Sequence, residues 1–228
     1  MVARRQLLAK PLSQRQLEAA WRFWIDGGWQ TKEFIQLKQC FPQIQDAVTL
    51  KAMAVNTLYG TGVIAIARVA GCLESKLKSP SCSTGPELVE ELVLEIATIT
   101  RKKHYVFVAK YCHFFVNPNL PILDQYAEWM VGTHLGPSAQ SQIPQRYLKF
   151  DADVKELKEC VGLTCDCEQL DAYLWIAGEY WCWKTNPKLK ITKDLVKYFV
   201  RLETIPESER TEAERTLAEL LGITPHAE

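Results

Sequence analysis

The chain has 228 residues, and 27 Lys plus Arg balance 27 Asp plus Glu, so its formal net charge is zero. That length can bury a substantial core as one domain or two small lobes, and neutrality sets the chain apart from general nucleic-acid binders, which are basic. No apolar stretch is long enough to span a bilayer, the start MVARRQLLAKPLSQ lacks a signal peptide's apolar region, and eight scattered cysteines form no secreted framework; a soluble cytoplasmic protein with reduced thiols is expected.

Helical periodicity recurs along the chain and strand alternation almost nowhere, which predicts an all-α fold. Ser13 followed by Gln16 reads as a capped start for a helix through Trp21, Phe23, Trp24 and Ile25, stopped by Gly27-Gly28, after which Trp29 opens a turn. Residues 31–40 form a second helix with Phe34, Ile35 and Leu37 inward, and another runs from about Ile44 to Tyr59. Gly60 and Gly62 mark a sharp turn before an apolar helix from Val63 to Leu73, and Asn56, Tyr59 and Thr61 around it could line a site. A polar loop over 79–86 precedes a helix beginning at Pro86, whose Glu87, Glu90, Glu91 and Glu95 should face solvent.

The most informative stretch follows, YVFVAKYCHFFVNPNLPILDQY at 105–126. From Val106 to Phe115 only Lys110 and His113 interrupt an apolar run, so this helix should be buried on nearly all sides. A lysine rarely enters a core without a partner or a solvent-filled pocket, because an unpaired buried charge is costly. Phe107, Lys110, His113 and Phe114 share one helical face. Asn117-Pro118-Asn119 ends the helix, and Pro121 suits the first turn of a new one carrying Asp124, where the helix dipole favours the carboxylate.

An apolar helix, a short Pro-containing connection and an aspartate opening the next helix resemble the helix-hairpin-helix DNA glycosylase superfamily, its oxoguanine branch in particular, over about residues 100–135. Leu120-Pro121-Ile122-Leu123-Asp124 looks like the segment that supplies that family's essential aspartate. Phe107-Val108-Ala109 occupies the place of its K-x-A pattern, with phenylalanine where the Schiff-base lysine would stand. Lys110 lies one residue beyond that alanine, within about 60° of the same helical face. Where the family has a Gly-rich hairpin that binds a DNA phosphate through backbone N–H groups, this chain has Thr100-Arg101-Lys102-Lys103-His104. Three cations before a helix suit a phosphate, although a charge run is usually a solvated turn.

The resemblance implies a two-lobed orthogonal helical bundle, with lobes over 1–60 plus 145–228 and over 61–144 and a cleft between them, and a DNA glycosylase that removes a damaged base. Asp124 would stabilise the oxocarbenium-like sugar or activate the nucleophile; Lys110, its pKa lowered by burial, would supply an amine for a Schiff base and strand cleavage. Damaged duplex DNA is the implied partner, with Arg101, Lys102 and Lys103, and patches such as Arg4, Arg5 and Lys10, holding phosphates. Neither cofactor nor metal is implied. His113 would hydrogen-bond either catalytic group, and Asn56 would fill the base stack, unless it caps its own helix end.

The loop 136–144 could act as a lid. Beyond it, Cys160, Cys165 and Cys167 do not have the spacing of an iron–sulfur loop or a zinc knuckle. The stretch 169–183 places a helical stripe of Leu170, Tyr173, Leu174 and Ala177 beside a crowd of aromatics. Trp175 reads as core, whereas Tyr180 or Trp183 could also clamp a flipped base; Asp171 and Glu179 read as solvent-facing charges. A helix carrying Leu195, Val196, Phe199 and Leu202 and a terminal one from Ser208 to Leu221, ended by Gly222, complete the chain. The competing reading is a non-catalytic helical protein on a glycosylase scaffold, in which Lys110 and Asp124 form a structural ion pair.

Overall fold

The computed structural model describes residues 12–27, 32–79, 82–136, 145–185, 189 and 191–223. These residues are all-α: eleven α-helices, one 3-10 turn and, among the described residues, no strand. The helices are α1 (Gln14–Asp26), α2 (Lys32–Cys40), α3 (Val48–Leu58), α4 (Ile66–Leu77), α5 (Pro86–Thr100), α6 (Tyr105–Phe115), α7 (Gln125–Leu135), α8 (Arg146–Val161), α9 (Cys167–Thr185), α10 (Lys193–Thr204) and α11 (Glu212–Leu221). Arg4, Arg5, Lys10, Trp29 and the expected lid over 137–144 lie outside the described residues.

The chain divides into two compact units, one of Met1–Gln30, Gln125–Ser138 and Asp153–Glu228, the other of Thr31–Asp124 and Ala139–Ala152. Residues 31–60 therefore go with the middle of the chain rather than with its C-terminal third.

In the first unit α1 packs against α11 and α9, and α9 against α7 and α10. The Ser13 box is present: its hydroxyl accepts from the Gln16 N–H, and the Gln16 side chain accepts from the Ser13 N–H. Gly178 marks the closest approach of α9 to α7, since a Cβ there would lie 2.8 Å from both Cβ and the carbonyl oxygen of Tyr126. Trp129 and Trp181 meet edge to face at 4.1 Å between centroids, and Trp24 meets Trp175 at 5.3 Å. Asp171 and Glu179, expected in solvent, are buried. Glu179 accepts from both the N–H and the hydroxyl of Thr192, so it closes the start of α10. The last helix begins at Glu212 rather than Ser208, because Thr211 and Glu214 form a second capping box there.

In the second unit α3 packs on α2, α4 and α6, and α5 on α4 and α6. Pro86 sits in the first turn of α5, where its missing N–H costs no intrahelical bond. The helix α3 begins at Val48, not Ile44, because Ala47 adopts a left-handed conformation with φ 47°. Ile35 faces outward while Phe34, one position away, is 3% exposed. Two charges lie where periodicity did not place them. Lys51 is 1% exposed and donates to the Gln43 carbonyl at 2.7 Å, and Glu90 is 6% exposed.

Candidate active site

The helix α6 is buried along nearly its whole length, as its apolar run requires, and it carries Lys110 into the interior of the second unit. A turn follows over 116–120, and residues 121–124 adopt no regular secondary structure. Asp124 is therefore the residue immediately before α7 and not a member of its first turn. Pro121 fixes its own φ and has no N–H to give, which suits an irregular connector as well as a helix start.

This connection brings the two groups together. Lys110 Nζ lies 3.6 Å from Asp124 Oδ2, and the two side chains are 9% and 12% exposed. The ammonium also sits 4.1 Å from the centroid of the Tyr59 ring, well within cation–π range. Tyr59 is one of three nearly parallel rings: its centroid is 5.6 Å from Phe34 and 5.7 Å from Phe114, and Phe34 and Phe114 are 4.6 Å apart. Phe115 meets Phe34 edge to face at 5.5 Å. The amine thus rests on an aromatic slab that α2, the end of α3 and α6 build together, each offset pair contributing about 0.5–1.5 kcal/mol beyond its buried area.

The slab has a second lysine. Lys51 Nζ lies 5.5 Å from the Phe115 centroid, with burial pulling its pKa below the ordinary lysine value and Asp46 opposing the change. Helical periodicity gave no sign of this, because the groups that receive it, Gln43 and Phe115, come from outside its helix.

His113 shares the Lys110 face, and its Nδ1 lies 2.8 Å from the Leu120 carbonyl, which makes that nitrogen the protonated one. Asn56 holds the glycine turn. Its amide donates to the Val63 carbonyl, and its oxygen accepts from the Val63 N–H and the Thr61 hydroxyl, at 2.8 to 3.0 Å. A role as filler of a base stack would require breaking all three bonds. Arg101, Lys102 and Lys103 are exposed in the turn between α5 and α6, with Arg101 left-handed at φ 58°. The Lys102 N–H is turned back onto the Thr100 hydroxyl. Lys110 is roughly one and a half helical turns further along α6.

Tyr180 and Trp183 belong to the first unit and pack on Phe199, with ring centroids 5.2 and 5.7 Å away. The Tyr180 hydroxyl donates to Glu203 at 2.6 Å; burial first, and that bond second, push its pKa up. Among the described residues no three His, Cys, Asp or Glu side chains gather as a metal site would need, and no helix is long and apolar enough to cross a membrane. No protein-family model, curated protein or solved structure matches the chain.

Proposed function

We propose that the chain is a DNA glycosylase-like enzyme that removes a damaged base and cleaves the strand through a lysine Schiff base, with Lys110 the amine and Asp124 its proton acceptor. One observation carries the reading: a buried lysine amine in contact with a carboxylate on an aromatic surface, built from segments that resemble the helix-hairpin-helix glycosylases. Such a pair is suited to nucleophilic chemistry at an electron-poor carbon. Asp124 takes a proton from the Lys110 ammonium, the freed lone pair forms a bond to the sugar C1′, and the C1′–base bond breaks with its electrons leaving on the base. Ring opening gives the protonated Schiff base, and loss of a C2′ proton then expels the 3′ phosphate. The half-buried rings of Tyr59 and Phe114 supply the stacking surface for an unstacked base, worth about 1–3 kcal/mol per ring contact.

A second reading is favoured by the low exposure of the pair: Lys110 and Asp124 form a structural ion pair that anchors the turn, and the protein is a non-catalytic helical scaffold. Base release from duplexes carrying oxidised, alkylated, deaminated or abasic sites separates the two. The enzyme reading predicts release or strand cleavage from at least one substrate, abolished in Asp124→Asn, with cleavage lost in Lys110→Ala. Absence of activity on every duplex, with the wild-type protein folded, assigns the scaffold role.

A further inference from the structure

Asp124 ends a segment, 121–124, without regular secondary structure. Two buried side chains bond to the backbone where that segment begins. His113 Nδ1–H donates to the Leu120 carbonyl at 2.8 Å, and the Tyr147 hydroxyl donates to the carbonyl of the next residue, Pro121, also at 2.8 Å. Two successive carbonyls are thus clamped, one from α6 and one from the first turn of α8. Both clamping residues are almost fully buried, His113 at 2% and Tyr147 at 0% exposure.

Tyr147 is itself held. Its backbone N–H donates to one oxygen of Glu90, and the other oxygen accepts from the Tyr105 hydroxyl at 3.0 Å. Arg146 lies over the Tyr105 ring at 5.5 Å. Burial, together with Glu90, pushes the Tyr105 hydroxyl up to about 12, so it remains a donor at neutral pH. A buried carboxylate is costly unless its oxygens are satisfied, and a leucine at position 90 would pack α5 without that cost. What the charge adds is direction: it fixes where α8 starts, and hence where the Tyr147 hydroxyl points. A phenylalanine would fill the ring volume of Tyr147 but leave the Pro121 carbonyl without its donor.

We infer that Tyr147, oriented by Glu90, is a positioning residue that aims Asp124 at the Lys110 amine. The inference deepens the proposed function and rests on it for the catalytic consequence, but not for the geometric one. It is tested with Tyr147→Phe, and with Tyr105→Phe as the control that loses a bond to the same Glu90 while leaving the Pro121 clamp intact. The first readout is the Nζ signal of Lys110 in protein labelled with 15N-lysine, assigned by its loss in Lys110→Arg. Read through the non-exchanging Hε protons, the Nζ shift changes when its carboxylate partner is lost, so Asp124→Asn gives the unpaired reference. The second is the rate of borohydride-trapped adduct on an abasic-site duplex.

Tyr147→Phe should broaden or shift the Lys110 signal toward the Asp124→Asn position and slow adduct formation on the order of tenfold or more, the range that a small misplacement of reacting groups costs. Tyr105→Phe, which loosens Glu90 but leaves the Tyr147 hydroxyl on the Pro121 carbonyl, should change both far less than Tyr147→Phe. A Tyr147→Phe protein that melts earlier but keeps the wild-type Lys110 signal and adduct rate overturns the inference and leaves Tyr147 a packing residue. Equal effects from Tyr105→Phe overturn it as well. If the wild-type protein forms no adduct, the proposed chemistry fails, and the Lys110 signal alone decides the role of Tyr147.

Discussion

Removing both members of the Lys110–Asp124 pair should cost less than the sum of removing each. At 3.6 Å, with an effective dielectric of about 20, the attraction amounts to roughly 4–5 kcal/mol. The desolvation of two groups only 9% and 12% exposed offsets most of it, so the net worth of the pair is small. The charge left behind keeps its desolvation cost and loses the partner at 3.6 Å that offset it. Asp124→Leu or Lys110→Met should each lower the unfolding free energy by about 3–5 kcal/mol. The double variant Lys110→Met/Asp124→Leu should lose much less than the sum, because neither charge remains and the methionine keeps its contact with the Tyr59 ring. Urea unfolding of the four proteins at neutral pH gives the coupling energy, expected at about 2–3 kcal/mol. Additive losses, agreeing within about 0.5 kcal/mol, would refute the reasoning, since they would mean that amine and carboxylate do not interact in the folded protein.

Three further substitutions probe the fold around the pair. The Tyr111 hydroxyl is buried and has no hydrogen-bond partner, so Tyr111→Phe should raise stability by about 1 kcal/mol; a lower melting temperature would show that the hydroxyl is satisfied. Gly178→Ala should destabilise by about 1–3 kcal/mol despite the better helix propensity of alanine, because the new Cβ meets Tyr126 at 2.8 Å, and a gain in stability would refute that close approach. Burial pushes the pKa of Glu214 up, but the bonds from Arg201 and Thr211 outweigh it and hold the carboxyl below its ordinary value. A depressed folded-state pKa contributes stability above the unfolded value, lost as pH falls through the folded one. Glu214→Gln should therefore melt earlier than wild type at neutral pH, and the gap should close only at pH values below the ordinary carboxylate range. A gap independent of pH would contradict this.

Much of the helical order was written in local signals, the Ser13–Gln16 box and the left-handed Gly222 at the end of α11 among them. The proximity of Lys110 and Asp124 also follows from local facts, since a buried lysine needs a partner and the Asn-Pro-Asn turn separates the two by only fourteen positions. What the sequence misplaced depends on distant segments. Glu90 follows the acidic pattern of α5, yet it is buried because the start of α8 covers it, 57 positions away in the chain. Glu179 is buried because the start of α10 needs an acceptor. Pro121 fits an irregular connector and a helix start equally well, and the bonds that the Leu120 and Pro121 carbonyls accept come from His113 and Tyr147, the latter far along the chain. Ala47, left-handed without being glycine or asparagine, gives no local sign of itself.

The most direct test of the account identifies the residue that becomes covalently attached to DNA. After incubation with damaged or abasic duplexes and reduction with borohydride, peptide mass spectrometry should place the adduct on Lys110 alone, with none on Lys51, which is 1% exposed and bonded to the Gln43 carbonyl. An adduct on any other lysine, or none on any duplex, would contradict it.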